Sequence, residues 1–403
     1  MGWLEEMRDL LADVAFRRVW GIGTFAGLMR WLDQIVVGIF VFEVTSSPFL
    51  VAIITLARLM PMLSGAFIGA WAQRLPLKRV LIFGLVVIAG VYATLAVLAF
   101  TGLIQIWHVG VGAILVGIYW ASEMSVRRTL LGEIAGSERL GKAMGLDWAT
   151  INSTRLVGPL VGGVLYSVVG VGGAYAAGAV CFGLSALLAL GLKAGTTARG
   201  SSGRKVLADI IDGFLFARSR PIVMGTLAAT VVMNGFAFPY SSMVPVIGKD
   251  VLSASPVEVG LLSSAEGIGA LIGSIFLAGI ARQAWFGRVF VMGSATVMSC
   301  ALLFGLSTHY ALSIAILIVL GLGSSGFATM QSTLILTHAP PDQRSRMMGV
   351  LSSSIGMGQI GFLAIGVMAD HIGAPWAVVF SMVEGLILLA LCVKAWPALW
   401  RGD

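Results

Sequence analysis

The sequence predicts an all-α integral membrane fold of twelve transmembrane helices in two six-helix, pseudo-symmetric bundles. Three observations predict it. Only 11% of the 403 residues are charged and 58% are hydrophobic, where a soluble domain carries about 25% charged residues. Apolar runs recur along the whole chain at the length of about 20 residues that about 30 Å of hydrocarbon requires. The second half of the chain also repeats the first.

Residues 1–18 read as a cytoplasmic segment. It mixes Glu5, Glu6, Asp9 and Asp13 with Arg8, Arg17 and Arg18. A cleaved signal has a basic start and an immediate apolar run, so none is expected here. Myristoylation at Gly2 is discarded because Glu6 stands where the motif wants Ser or Thr. Apolar runs cut at charge clusters and Gly/Pro turns then fall near 19–44, 48–73, 80–100, 105–126, 143–168, 172–193, 220–247, 256–281, 288–306, 309–335, 346–369 and 374–396. They are called spans 1 to 12. Residues 19–193 make the N-terminal bundle and 220–396 the C-terminal bundle. The interval 194–219 is the one long hydrophilic stretch, and its Gly195-Thr196-Thr197 and Gly200-Ser201-Ser202-Gly203 read as a cytoplasmic linker. Within it, 206–217 has the pattern of an amphipathic surface helix. Residues 397–403 form a cytoplasmic tail.

The formal net charge is +7, but its distribution argues for insertion bias and not for nucleic acid. With the N-terminus inside, 22 of the 26 basic residues lie on the cytoplasmic side, Arg30, Arg58 and Arg155 lie within spans, and Lys249 lies outside. The positive-inside rule then puts both termini in the cytoplasm, with anionic lipid as the partner of the basic loops. The cysteines Cys181, Cys300 and Cys392 sit singly in apolar segments, without CxxC pairing or a His at ligand spacing, so neither a disulfide nor a metal site is expected.

The repeat is visible residue by residue. At an offset of 204, 129–170 aligns without gaps on 333–374, pairing Leu130 with Leu334, Ala135 with Ala339, Met144 with Met348, Gly145 with Gly349, Ile151 with Ile355 and Gly162 with Gly366. Glu138 matches Asp342 and Lys142 matches Arg346. At an offset of 208, Gly65, Arg74, Arg79 and Val80 align with Gly273, Arg282, Arg288 and Val289, with one insertion near Phe286. Parallel repeats of this kind mark secondary transporters.

Two segments carry a family resemblance. Glu43-Val44-Thr45-Ser46-Ser47-Pro48 followed by Ala57-Arg58-Leu59-Met60-Pro61, and Gly65 through Arg79, resemble the link from span 1 to span 2 and the loop after span 2 in the major facilitator superfamily. Within it, the chain is similar to the drug and siderophore exporters related to the enterobactin exporter. The resemblance implies a gating loop at Gln73, Arg74, Lys78 and Arg79. Here Gln73 replaces the family's Asp and Pro76 a Gly, which removes the carboxylate of the family's charge relay. In span 5, Gly145, Thr154, Gly158, Pro159, Gly162 and Gly163 resemble the antiporter motif of proton-coupled exporters, with Thr154 replacing a glycine. The glycines leave a flat face for close helix approach, and Pro159 removes a backbone donor and bends the span. Ordinary helix packing is the competing reading.

Charges at mid-bilayer depth cost about 2.5–3.5 kcal/mol on insertion scales and are functional candidates by default. Asp33 lies about 21 Å into span 1 at 1.5 Å per residue, and Arg30 shares its face at i−3. In the family fold spans 1, 4, 7 and 10 line the cavity, so Asp33 and Glu123 are expected to meet water. Asp33 matches an acidic position of the subgroup and stands as a proton carrier or as the static partner of Arg30. Glu123 stands as a second carrier or as a solvated helix end near Arg127 and Arg128. Arg58 and Glu266 occupy equivalent places in the repeat, and Arg155 in span 5 is positioned by the family fold to pair with Glu266, either as a switch or as a fixed pair. Glu384 in peripheral span 12 is assigned a structural role. Trp120, Asn152, Asn234, Tyr240, Gln331 and Gln359 are cavity candidates, with interfacial belts and interhelical hydrogen bonds as the alternative.

Gly321-Leu322-Gly323-Ser324-Ser325-Gly326 matches the dinucleotide fingerprint in letters, but it lies in an apolar span after no strand and is rejected. A P-loop, a nucleophile elbow and a zincin motif are all missing, so neither an ATP-driven pump nor an enzyme is expected, and no cofactor. The expected function is a monomeric secondary transporter of a bacterial cytoplasmic membrane, exporting a small organic molecule in exchange for protons by alternating access. An importer or uniporter of the same fold and a lipid-handling or assembly protein are the rivals.

Overall fold

A computed structural model describes residues 10–64, 76–192, 214–280, 283–340 and 343–401. Among them the chain is helical from end to end, without strands, and ten helices are long and apolar enough to cross a membrane. Two further observations bring that number into line with twelve spans. The helix Lys142–Leu190 has 49 residues, enough for two crossings, and Pro48–Met62 is a shorter apolar helix. Large apolar side chains point outward throughout, with Phe83 at 72%, Val168 at 76% and Ile360 at 73% exposure. Arginines and carboxylates are found inside. That inversion suits lipid as the solvent.

Span 1 is Val14–Thr45 and span 2 is Pro48–Leu59, which tightens into a 3-10 turn at Met60–Ser64 where Pro61 lacks an N–H. Span 3 is Leu77–Phe100. Spans 4, 5 and 6 follow as one helical run, Ile106–Leu190, interrupted only at Gly136 (φ 70°) and Gly170 (φ 69°). Glycine permits that positive φ, so the chain reverses there without a long loop. Spans 8, 9, 10 and 12 are Pro256–Ile280, Phe286–Leu306, Tyr310–His338 and Ala374–Ala395.

Two spans expected to be continuous are broken. Span 7 runs Pro221–Val232, passes through a π turn at Met233–Ala237, and resumes as Tyr240–Asp250 after Pro239. The Ser381 hydroxyl donates to the Phe236 carbonyl at 2.8 Å, which satisfies an acceptor in the π turn. Span 11 is likewise two pieces, Arg344–Met357 and Ile360–Ile372. The gating-loop residues Gln73 and Arg74, the linker residues 193–213, and Asp342 and Arg282 of the repeat lie outside the described residues.

Contacts divide the chain into two compact units, one of Met1–Val37 with Ala57–Gly203, the other of Gly38–Leu56 with Arg204–Asp403. The sequence boundary at 194–219 had grouped 38–56 with the first half; packing groups it with the second. There a β-carbon at Gly38 would lie 2.7 Å from Pro245, and one at Gly366 would lie 2.6 Å from Ala52. Lys249 Nζ reaches Glu43 Oε1 at 2.6 Å, and the Ser47 hydroxyl donates to Asp370 at 3.1 Å.

Small residues set the spacing in both units. In the first, a β-carbon at Gly158 would come within 2.7 Å of Trp31 Cβ, and one at Gly162 within 2.9 Å of the Leu32 carbonyl. The glycines of the antiporter-like motif therefore seat span 5 on span 1. Gly145 has nothing within 4 Å. In the second unit the rejected fingerprint is a packing seam. Gly321 abuts the Glu266 carbonyl of span 8, and a β-carbon at Gly323 would lie 2.8 Å from the Gly293 carbonyl of span 9. Span 10 thus wedges between two backbones.

Overpacking of such contacts costs about 1–3 kcal/mol or more. Gly321→Val is accordingly expected to lower the thermal unfolding midpoint of the detergent-purified chain by several degrees. Gly90→Ala, where nothing lies within 4 Å, is expected to leave it within a degree or two. Equal midpoints for both variants would refute the seam.

Candidate functional site

The first unit carries a chain of buried charge on spans 1, 2, 4 and 5. Its centre is Asp33, 3% exposed, whose Oδ2 pairs with Arg58 Nη2 at 2.7 Å; Arg58 is 4% exposed. Span 2 is held close enough for this by Gly117 of span 4, where a β-carbon would collide with the Arg58 carbonyl. Tyr92 of span 3 lies beside the Asp33 carboxylate, and Tyr175 of span 6 packs on Tyr92 with ring centroids 6.0 Å apart. Asp33 was expected beside Arg30 and facing water. Its partner is Arg58, and it is enclosed by aromatic rings.

A second cluster lies on spans 4 and 5. Arg127 donates to Glu123 one turn earlier and to Asp147 across the helix pair, and Asp147 also meets Arg128 at 3.5 Å. Glu123, Arg127 and Asp147 are 8%, 3% and 2% exposed. Glu123 is therefore no solvated helix end. Arg127 fits because Gly23 of span 1 has no side chain, a β-carbon there falling 2.5 Å from its guanidinium. Thr154 uses Gly27 in the same way, at 2.8 Å. Replacing a motif glycine by Thr154 is thus matched by a glycine on the facing helix.

Between the two clusters Arg30 lies over the Trp120 ring at 4.5 Å and against Met62 Sδ at 3.7 Å; Arg58 approaches the same ring at 5.7 Å. Arg155 lies over Trp31 at 5.3 Å. A cleft opens here, with Gly27, Arg30, Trp31, Trp120, Glu123 and Arg127 on its wall.

The second unit has a different polar centre. Tyr240 of span 7 donates to Glu266 of span 8 at 2.7 Å. Gln331 donates to the Thr230 hydroxyl at 3.0 Å, and Asn234 to the Thr230 carbonyl at 2.9 Å. Gln359, beside the break in span 11, has a buried Oε1 without a donor. Asn152 is half-buried, and its amide donates to the Trp148 carbonyl one turn earlier at 3.0 Å. Glu384 faces outward from span 12, which does not fit the structural role assigned to it. Of the gating loop, Lys78 donates to the Leu192 carbonyl and Arg79 is exposed.

Sequence reading missed Asp147, Tyr92, Tyr175 and Trp31. Asp147 carried a signal, a carboxylate four residues into the apolar run of span 5. The aromatics carried none, because their role depends on which way each helix faces.

Comparison with known proteins agrees with this architecture. The sequence profile of the transmembrane secretion effector family matches residues 9–399. The chain belongs to this family of the major facilitator superfamily. It is 26% identical over 370 residues to the multidrug efflux pump Tap of Mycolicibacterium fortuitum, covering 87% of this chain and 88% of that protein. It is 26% identical over 352 residues to the staphyloferrin A transporter of Staphylococcus aureus, covering 86% and 87%. With the enterobactin exporter EntS of Shigella boydii it shares 25% identity over 271 residues, 65% of this chain and 63% of that one. Among solved structures, a POT family transporter in complex with 5-aminolevulinic acid superposes with a TM-score of 0.75 at 12% identity over 97% of this chain and 96% of that one. The nucleoside transporter NupG gives 0.72 at 12% identity over 94% and 98%. These show the major facilitator fold. The family member is a multi-pass membrane transporter.

Removing one partner of a buried ion network costs about 3–5 kcal/mol, because the remaining charges stay buried and uncompensated. Arg127→Gln, which strips Glu123 of its counter-ion and leaves Asp147 only the longer contact to Arg128, is expected to lower the unfolding midpoint in detergent markedly, whereas Arg79→Gln leaves it unchanged. An Arg127→Gln protein as stable as its parent would show that the cluster does not hold spans 4 and 5.

Proposed function

We propose that this transporter exports a small organic molecule from the cytoplasm in exchange for protons, by alternating access, across a bacterial cytoplasmic membrane with both termini inside. The observation that carries the reading is the Asp33–Arg58 pair at 2.7 Å, each residue under 5% exposed. A proton on Asp33 cancels the charge that holds Arg58, so loading and unloading that proton changes which partner the guanidinium needs. Beside Tyr92 and Tyr175, Asp33 is 3% exposed and so has little contact with water in this conformation, and alternating access would have to open it to either side. Glu266 with Tyr240, and Glu123 with Arg127, are further candidates for coupling, and Arg155 for a charge partner. The seating of Gly158 and Gly162 on span 1 supports a seal against proton leak beside Asp33.

Export is supported by the names of the relatives, a multidrug efflux pump and an enterobactin exporter among them. The excess of basic residues in the loops assigned to the cytoplasm supports the orientation.

The test uses proteoliposomes with an imposed pH gradient. Wild type is expected to drive solute against its gradient while dissipating the proton gradient. Asp33→Asn, which keeps shape and hydrogen-bonding groups but cannot release a proton, is expected to lose gradient-driven transport by at least 10-fold and to retain solute exchange. Unchanged driven transport in Asp33→Asn removes Asp33 from the coupling.

A further inference from the structure

The cleft in the first unit is walled by hydrogen-bond donors that lack acceptors. Arg30 contacts the Trp120 ring and Met62 Sδ, and among the described residues no carboxylate comes within 4 Å of it. Glu123 is the acid on the same wall, and its Oε1 is already taken by Arg127, which Asp147 shares. The indole Nε1 groups of Trp120 and Trp31 are both buried without a partner, and Trp120 is only 4% exposed. Charge points the same way. Arg30, Arg58, Arg127, Arg128 and Arg155 surround a region holding three carboxylates, Asp33, Glu123 and Asp147, and each of those carboxylates already has an arginine.

A guanidinium whose acceptor is a thioether, with two indole N–H groups without acceptors, forms a cradle for oxyanions. The cleft leaves about 30 Å3 for the centres of water-sized groups, room for a carboxylate head and not for an entire solute.

From this geometry we infer that the cleft binds the carboxylate head of an organic anion, with Arg30 as its counter-ion and the Trp31 and Trp120 N–H groups as its donors. This rests on the reading of the chain as a carrier of small organic molecules and names the chemical class it takes. Cationic compounds are disfavoured in the cleft because among the described residues Arg30 has no carboxylate within 4 Å, and Glu123 is already paired with Arg127.

Binding of 1-naphthoate to the detergent-purified full chain tests it, by equilibrium dialysis with detergent-only controls. Saturable binding is expected, displaced by unlabelled 1-naphthoate and not by 1-naphthylmethylammonium, which has the same ring system, nor by equimolar chloride or sulfate. Arg30→Gln is expected to weaken binding at least 10-fold and Arg30→Lys to restore part of it. Trp120→Phe, which keeps a ring and deletes the N–H, is expected to weaken it about 3-fold or more and supplies the readout where Arg30→Gln fails to fold. Undiminished binding in these variants, displacement by the cation, absence of binding, or equal displacement by inorganic anions would each overturn the inference, the last marking an inorganic-anion site. No proton gradient is involved. A chain that binds 1-naphthoate but shows no gradient-driven transport contradicts the proton-coupling reading alone. One that exports cations against a gradient without binding 1-naphthoate contradicts this inference alone.

Discussion

Burying charge in a helix bundle is costly, and the organisation of the first unit follows from how that cost is met. Asp33 is held by Arg58, and Glu123 and Asp147 are both held by Arg127. In each case the arginine comes from a helix that small residues bring close. Gly117 admits the backbone at Arg58, and Gly23 admits the head of Arg127. Packing and electrostatics are therefore one constraint in this protein. A larger residue at either glycine would move a guanidinium away from its carboxylate.

The second unit meets the same constraint with less charge. Glu266 accepts a hydrogen bond from Tyr240, and the interrupted backbone of span 7 is satisfied by Ser381. Breaks in spans 7 and 11 fall beside Asn234 and Gln359, in line with the rule that irregular backbone at membrane depth occurs where protein or a polar cavity surrounds it. The two units thus divide the work. One concentrates fixed charge, and the other carries neutral hydrogen-bonding groups on broken helices.

The fold was legible because hydropathy and loop charge are properties of segments, and ten of the described helices are long and apolar enough to cross a membrane. The internal repeat suggested two halves, whereas packing groups Gly38–Leu56 with the second unit. Pairing within the site was much less legible. Arg30 stands one turn from Asp33, so spacing alone makes it the nearer partner, yet Gly117 brings Arg58 in from another helix. Asp147 was readable as a carboxylate in an apolar run, but its meaning depends on Arg127 reaching across from span 4. The letters of 321–326 imitate a phosphate-binding loop, and only the backbone contacts of Gly321 and Gly323 show them to be a helix seam. Thr154 reads as a flaw in a glycine motif until Gly27 is seen opposite it.

The central claim is that Asp33 gives up and regains a proton as the transporter cycles. Infrared difference spectroscopy on purified protein, recorded between the solute-free and solute-bound states, observes that directly. The account predicts a protonated-carboxyl band that changes intensity on binding, shifts in deuterated water and vanishes in Asp33→Asn, while the same band persists in Glu384→Gln. A carboxyl signal that survives in Asp33→Asn, or no carboxyl change in a wild-type protein that demonstrably binds solute, would contradict it.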